Sequence, residues 1–273
     1  MKNLHHSESG LGIVEILISL VLSMLLAIAL FTVLHGTLYG AISQRGMSAL
    51  QEAERRAATN IQQVAHSGGY FVVAVSPTVS TGSQVSLASL SASTALAASG
   101  IYAAGQYVAG TSGTTSATSG TTSAGDMLDI RFQSAQNGNT NEPTTMNCLG
   151  QSASSTTPVY YSNSYFVDPS TNSLDCAVNG GTPQIIVGNG SNGGIQVQGM
   201  NVLYGVDTIG SGSVTEYETA AHVTTNAAWP SVLTAQVTLM FSNPLYVSTN
   251  PQGQPPTIPF TFLVNFMGAG GAN

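Results

Sequence analysis

The chain has 273 residues with five basic and twelve acidic side chains, a formal net charge of −7, and charged residues at only 6%. Ordinary soluble proteins carry about 25% charged residues, so polarity here rests on Ser, Thr, Gly and Asn. From Tyr70 onward, eight acids (Asp126, Asp129, Glu142, Asp168, Asp175, Asp207, Glu216 and Glu218) face the single base Arg131, which excludes the phosphate-binding electrostatics of a nucleic-acid domain. The length suits one modest domain behind an N-terminal anchor. Uncharged polar surfaces keep their character at low pH, and an acidic habitat would account for the composition.

Residues 1–10 form a short polar leader, and residues 11–34 are almost wholly apolar, with one charge, Glu15. At about 1.5 Å per residue this stretch crosses a ~30 Å hydrocarbon core as a helix. Ser19, Ser23 and Thr32 do not prevent this, because hydroxyls bond back to the helix backbone. A carboxylate inside such a segment costs about 2.5–3.5 kcal/mol on insertion scales, so Glu15 calls for a partner or a function. The helical pattern runs on to His66, making one helix over 11–66 about 84 Å long. Its 41–66 half is amphipathic: Met47, Leu50, Ala53, Ala57, Ile61 and Val64 recur at spacings of three and four. Arg45, Glu52, Arg55, Arg56 and Gln62 form the solvated face, with Glu52 and Arg56 an i,i+4 pair. Gly68-Gly69 ends the helix.

Gly10-Leu11-Gly12-Ile13-Val14-Glu15 resembles the processing signal of type IV prepilins, in which a glycine precedes an apolar first mature residue and glutamate stands fifth. The resemblance implies that a prepilin peptidase cuts between Gly10 and Leu11 and methylates the new amine of Leu11. It also implies that Glu15 pairs with the amine of a neighbouring subunit. Leu11 replaces the commoner Phe, Ser9 and Glu8 stand where a basic residue is frequent, and the mid-helix proline of major pilins is missing. A secretory signal differs in placing its apolar region before the cut. A plain signal anchor is the other reading. Lys2 before the helix and Arg45, Arg55 and Arg56 after it leave the orientation open by charge alone. The resemblance puts the C-terminal part outside the inner membrane.

Residues 67–126 read as a variable, low-complexity connection. Tyr70–Val75 suits a strand or extended entry, Ser86–Ala98 a short helix, and the run 110–125 a flexible or poorly packed segment. Residues 127–273 read as an antiparallel sheet domain. Expected strands are Met127–Phe132, Val159–Val167, Ser173–Val178, Gln184–Val187, Ile195–Asp207 with a bulge near Gly199, Leu233–Phe241 and Phe260–Phe266. Asp168–Asn172 makes a hairpin turn. Pro251, Pro255, Pro256 and Pro259 stiffen the last connection. On Thr234–Phe241, Ala235, Val237, Leu239 and Phe241 share one face. In an exported domain the isolated pair Cys148 and Cys176 reads as one disulfide, with metal binding the alternative.

MNCLGQ, SYFVDPSTNSLDC, IQVQGMNVLYGVDT and WPSVLTAQVTLMF, in that order, resemble the soluble domain of PilW-like minor pilins. The fold implied is α+β: a long N-terminal helix packed on an antiparallel sheet. The implied role is that of a structural subunit that helps initiate or cap a type IV pilus. Its implied partners are other major and minor pilins, the prepilin peptidase, the inner-membrane assembly platform, and membrane lipid before assembly. A minor pseudopilin of type II secretion shares the signal and the helix. A tip adhesin or binding module, and an anchored enzyme, are the rivals from other classes.

No catalytic constellation, cofactor site or metal centre stands out. His222 has Glu216 and Glu218 within reach but reads as a surface histidine in a loop or short helix. Gly188-Asn189-Gly190 and Gly193-Gly194 read as turns, since no strand–helix unit frames a phosphate loop. Two weak calcium candidates remain, the loop from Asp207 to Ser213 and the trio Asp168, Asn172 and Asp175.

Overall fold

The computed structural model describes residues 12–70, 93–97, 100–103, 106–113, 123–135, 145–154, 157–188, 194–249 and 253–266. Two compact units are distinguished, 1–48 and 49–273. Helix α1 spans Ile13–Ser67. In the first unit every described residue through Ile42 is exposed. In the second, Leu50, Ala57, Ile61 and Val64 of the expected stripe are buried, together with Ala65, while Ala53 is half-buried. Gly69 ends the helix at φ 82°, in the left-handed region that favours glycine, and its N–H donates to Arg131 O at 3.0 Å.

Among the described residues three antiparallel sheets follow. β1 (Ser93–Ala97) and β2 (Gly100–Tyr102) form a hairpin. Five strands run in the order β3 (Val108–Thr111), β4 (Met127–Ser134), β5 (Val159–Asp168), β6 (Ser173–Val178), β7 (Gln184–Gly188). The third sheet has the order β11 (Thr257–Asn265), β10 (Val232–Ser242), β8 (Val197–Val206), β9 (Glu216–Thr219). A six-residue helix α2 (Ala220–Thr225) follows β9, and a 3-10 turn at Trp229–Ser231 leads into β10. The alternation read on β10 holds, with Ala235, Val237, Leu239 and Phe241 all fully buried.

The two larger sheets are stitched together ahead of β4. Asp126 N–H donates to Met200 O at 2.9 Å and Met200 N–H to Ala124 O at 3.2 Å. The Asp126 carboxylate accepts from Gly113 N (2.7 Å) and Val202 N (2.8 Å). Gly125 lies between these bonds at φ 99°, and a Cβ there would meet Met200 O at 2.3 Å, so only glycine fits. From β8, the fully buried Tyr204 hydroxyl reaches Met127 O at 3.3 Å and Ala109 O at 3.4 Å.

Several expectations change. The described part of the short helix expected at 86–98, residues 93–97, is a strand; the remainder and Phe71–Val75 lie outside the described residues. The run expected to pack poorly from Gly110 contributes Gly110 and Thr111 to β3, paired with Leu128 and Met127. Val-Ala-Gly-Thr has weak β propensity, and the partner strand supplies what the local sequence lacks. β9 was not foreseen. Pro259 lies within β11 opposite Met240; β11 is an edge strand, where a residue without N–H is tolerated. Glu52 pairs with Arg55 at 2.6 Å rather than with Arg56. Gln62 belongs to the packed side, donating to Leu263 O at 3.2 Å.

Candidate functional site

The anchor is built from residues that close their polarity on themselves. Ser19, Ser23, Thr32 and Thr37 hydroxyls donate to backbone carbonyls three residues earlier at 2.8–2.9 Å. Around them the aliphatic side chains are open, Ile13 at 78% and Leu30 at 70% exposure, on a helix long and apolar enough to cross a membrane. Glu15 stands in the first turn, where the helix N-terminus favours an anion. It pairs with none of the described residues. Gly10 and Leu11 lie outside the described residues.

From Tyr70 onward most of the described carboxylates are turned inward. Asp126, Asp129, Asp175, Asp207 and Glu218 are all buried, Asp168 is half-buried, and Glu216 is exposed. Arg131 is fully buried as well. Its Nη2 donates to Gln106 O at 2.6 Å and Ala103 O at 3.3 Å, and its guanidinium lies 4.7 Å from the centroid of the Tyr102 ring. Burial pulls Arg131 below the usual arginine value and pushes Tyr102 well above the usual tyrosine value.

In both calcium candidates carboxylate oxygens are already engaged by neighbouring donors. Asp207 Oδ1 accepts from Ile209 N, Ser211 N and Ser211 Oγ at 3.0–3.3 Å, and Oδ2 from Gly212 N at 2.6 Å. These amides hold the carboxyl below the usual carboxylate range and surround it with positive dipoles. Asp168 Oδ1 accepts from Ser170 N and Oγ, and Asp175 Oδ1 from Ser173 Oγ at 2.5 Å. Among the described residues no three His, Cys, Asp or Glu side chains gather as metal ligands.

Cys148 and Cys176 are joined, with Cα atoms 6.5 Å apart, and both are buried. Sequence reasoning missed Asn60 beside them. Its Nδ2 donates to Cys148 O at 3.1 Å and its Oδ1 accepts the Tyr165 hydroxyl at 2.6 Å. Asn60 thus ties α1, the disulfide loop and β5 together. The only sequence signal for this was a polar residue next to the buried Ile61. An open groove lined by Arg56, Asn60, Leu149, Gln184 and Ile185 runs alongside and gathers no catalytic set. His222 lies on α2, exposed, with Nδ1 2.8 Å from Oε1 of the buried Glu218.

Residues 165–261, from β5 to the middle of β11, match the family described as type IV pilus-assembly protein W. Over this segment, a little over a third of the chain, the sequence is similar to PilW. The match takes in the Tyr204–Asp207 run and the Trp229–β10 segment. A type IV-like pilin from Thermus thermophilus aligns in structure at 13% identity and a TM-score of 0.32, over 60% of this chain and 85% of that one. No curated protein matches the chain. The exposed apolar helix, long and apolar enough to cross a membrane, fits membrane anchoring.

Proposed function

We propose that this PilW-like pilin is a minor pilin, a structural subunit that joins a type IV pilus and helps to initiate or cap it. It acts by packing and recognition, without catalytic turnover. The observation that carries this reading is the anchor, whose hydroxyls are self-satisfied while Glu15 pairs with none of the described residues. In this reading the leader is cut after Gly10, Leu11 is N-methylated, and the sheet unit faces the periplasm. The helix rests in inner-membrane lipid until the assembly platform extracts it into the filament core. There Glu15 meets the Leu11 amine of a neighbour in poorly solvated surroundings, where opposite charges attract strongly.

Glu15→Ala separates the two stages. It removes the insertion penalty of about 2.5–3.5 kcal/mol, so membrane-fraction abundance should hold or rise. It also leaves a neighbour's amine unpaired, so abundance in sheared filaments should fall. Normal incorporation of Glu15→Ala would overturn the role. Intact-mass analysis should find a chain beginning at N-methyl-Leu11, and a retained leader would contradict processing. A secretion defect without a piliation defect in a deletion strain would move the assignment to a type II secretion pseudopilin.

A further inference from the structure

The open groove beside the disulfide draws on three elements. Arg56 and Asn60 of α1, the disulfide loop at 148–151, and Gln184, Ile185 and Ile186 of β7 line it. Consecutive side chains of a regular strand alternate between faces. β7 departs from that regularity, because Val187 stands opposite Leu174 and Ile185 opposite Asp175. The extra residue, Ile186, is a bulge that re-aims its neighbours, so three successive side chains border one groove. The bulge also disturbs the outer edge of β7, and the groove suits side chains better than an added strand. Arg55 is taken by Glu52, whereas Arg56 makes no ion pair among the described residues. Ile185 is 45% exposed. The groove thus presents an unpaired cation and an open aliphatic side chain.

The complement lies on the same chain. Glu216 opens β9, is exposed, and makes no ion pair among the described residues. From Tyr70 onward the other described carboxylates are buried or half-buried. Tyr217 beside it is 44% exposed, and Ile209, in the loop that leads into β9, is 77% exposed. The Thr208 and Thr215 hydroxyls, 3.0 Å apart, close the base of that loop. β9 is an edge strand, so both of its faces are open to a partner along that side.

We propose that the groove receives the β9 edge of a second copy of this chain, with Glu216 against Arg56 and with Ile209 and Tyr217 on its aliphatic side. One copy does not fill its own groove. β9 leads into α2, whose Ala221 N donates to Ser112 Oγ just past β3 at 3.3 Å, whereas the groove lies against β7. β3 and β7 are the two edges of the five-stranded sheet, four spacings of about 4.8 Å apart. The contact is therefore head-to-tail, each copy giving one patch and leaving the other open. The opposite charges fix the register, and the open apolar side chains supply the area that is buried. The contact stands apart from the pilin reading and does not depend on it.

The test places the photo-reactive residue p-benzoylphenylalanine at Gln184, which is exposed and lines the groove. Full-length chains with light and heavy isotopes would be mixed in detergent micelles and irradiated. The expected product joins a light chain to a heavy one, and its linked peptide contains Glu216. Arg56→Glu and Glu216→Arg each bring like charges together and should each lower the yield about tenfold. The double variant exchanges the two charges and should restore the yield. Both positions are exposed, so these variants leave the buried core intact. Absence of a mixed product, a linked peptide from elsewhere in the chain, or a yield indifferent to the reversals overturns the proposal. Loss in Arg56→Glu that Glu216→Arg does not restore assigns the groove to a different partner and overturns it as well.

Discussion

Residues 12–48 and the unit from Ala49 onward solve opposite problems. The helix of the first wears its aliphatic side chains outward, with nothing described against them. The second keeps its exposed charges mostly on the helix and turns most described post-helix carboxylates and its one post-helix arginine inward. The first can be stable only in company, in lipid or among other helices, because open apolar area costs about 25 cal/mol per Å². The second is closed on itself by bonds that named residues make.

Disruption of the stitch between the sheets should break that contrast most severely. Gly125→Val drives a side chain into the Met200 carbonyl and strains a positive φ. We expect a loss of roughly 3–5 kcal/mol, read as a drop in the urea midpoint, while membrane association through α1 is retained. Cys148→Ser with Cys176→Ser comes next. The sequence separation of 28 corresponds to about 3–4 kcal/mol in the chain-entropy model, and reduction of the wild type should give the same shift.

A smaller effect tests the inward carboxylates by pH. The lowered Asp207 value means that its contribution is complete above the ordinary carboxylate range, near pH 4, and disappears as pH falls through the depressed folded value. Asp207→Asn should therefore be less stable than wild type at pH 7, with the gap closing toward pH 2. A constant gap would deny that the charge matters. The smallest change runs the other way. Ala227→Gly relieves a left-handed alanine and should stabilise by about 0.5–1 kcal/mol, seen as a rise in Tm of a few degrees at most.

The sequence carried the long helix because its signals are local. An apolar run, a 3–4 periodicity and a Gly-Gly stop all lie within a few turns of what they specify. The strands from Met127 onward other than β9 were legible for the same reason, Ser173–Val178 to the residue. β3 and β9 were not, because Val-Ala-Gly-Thr and Glu-Tyr-Glu-Thr become strands through pairing with distant partners. The candidate site divides likewise. Glu15 announces itself as a charge in an apolar run, whereas Asn60 matters only through Cys148 and Tyr165, 88 and 105 residues away. Which carboxylates backbone amides enclose, as at Asp126 and Asp207, is likewise absent from composition.

The inward carboxylates also bear on the medium. Screening acts on exposed charges separated by more than a Debye length, about 8 Å at physiological ionic strength, and the sheet unit offers solvent few such charges. Contacts made through its hydroxyl and amide face should hold alike in dilute water and in brine. Divalent cations would find few carboxylates through which to bridge one such face to another.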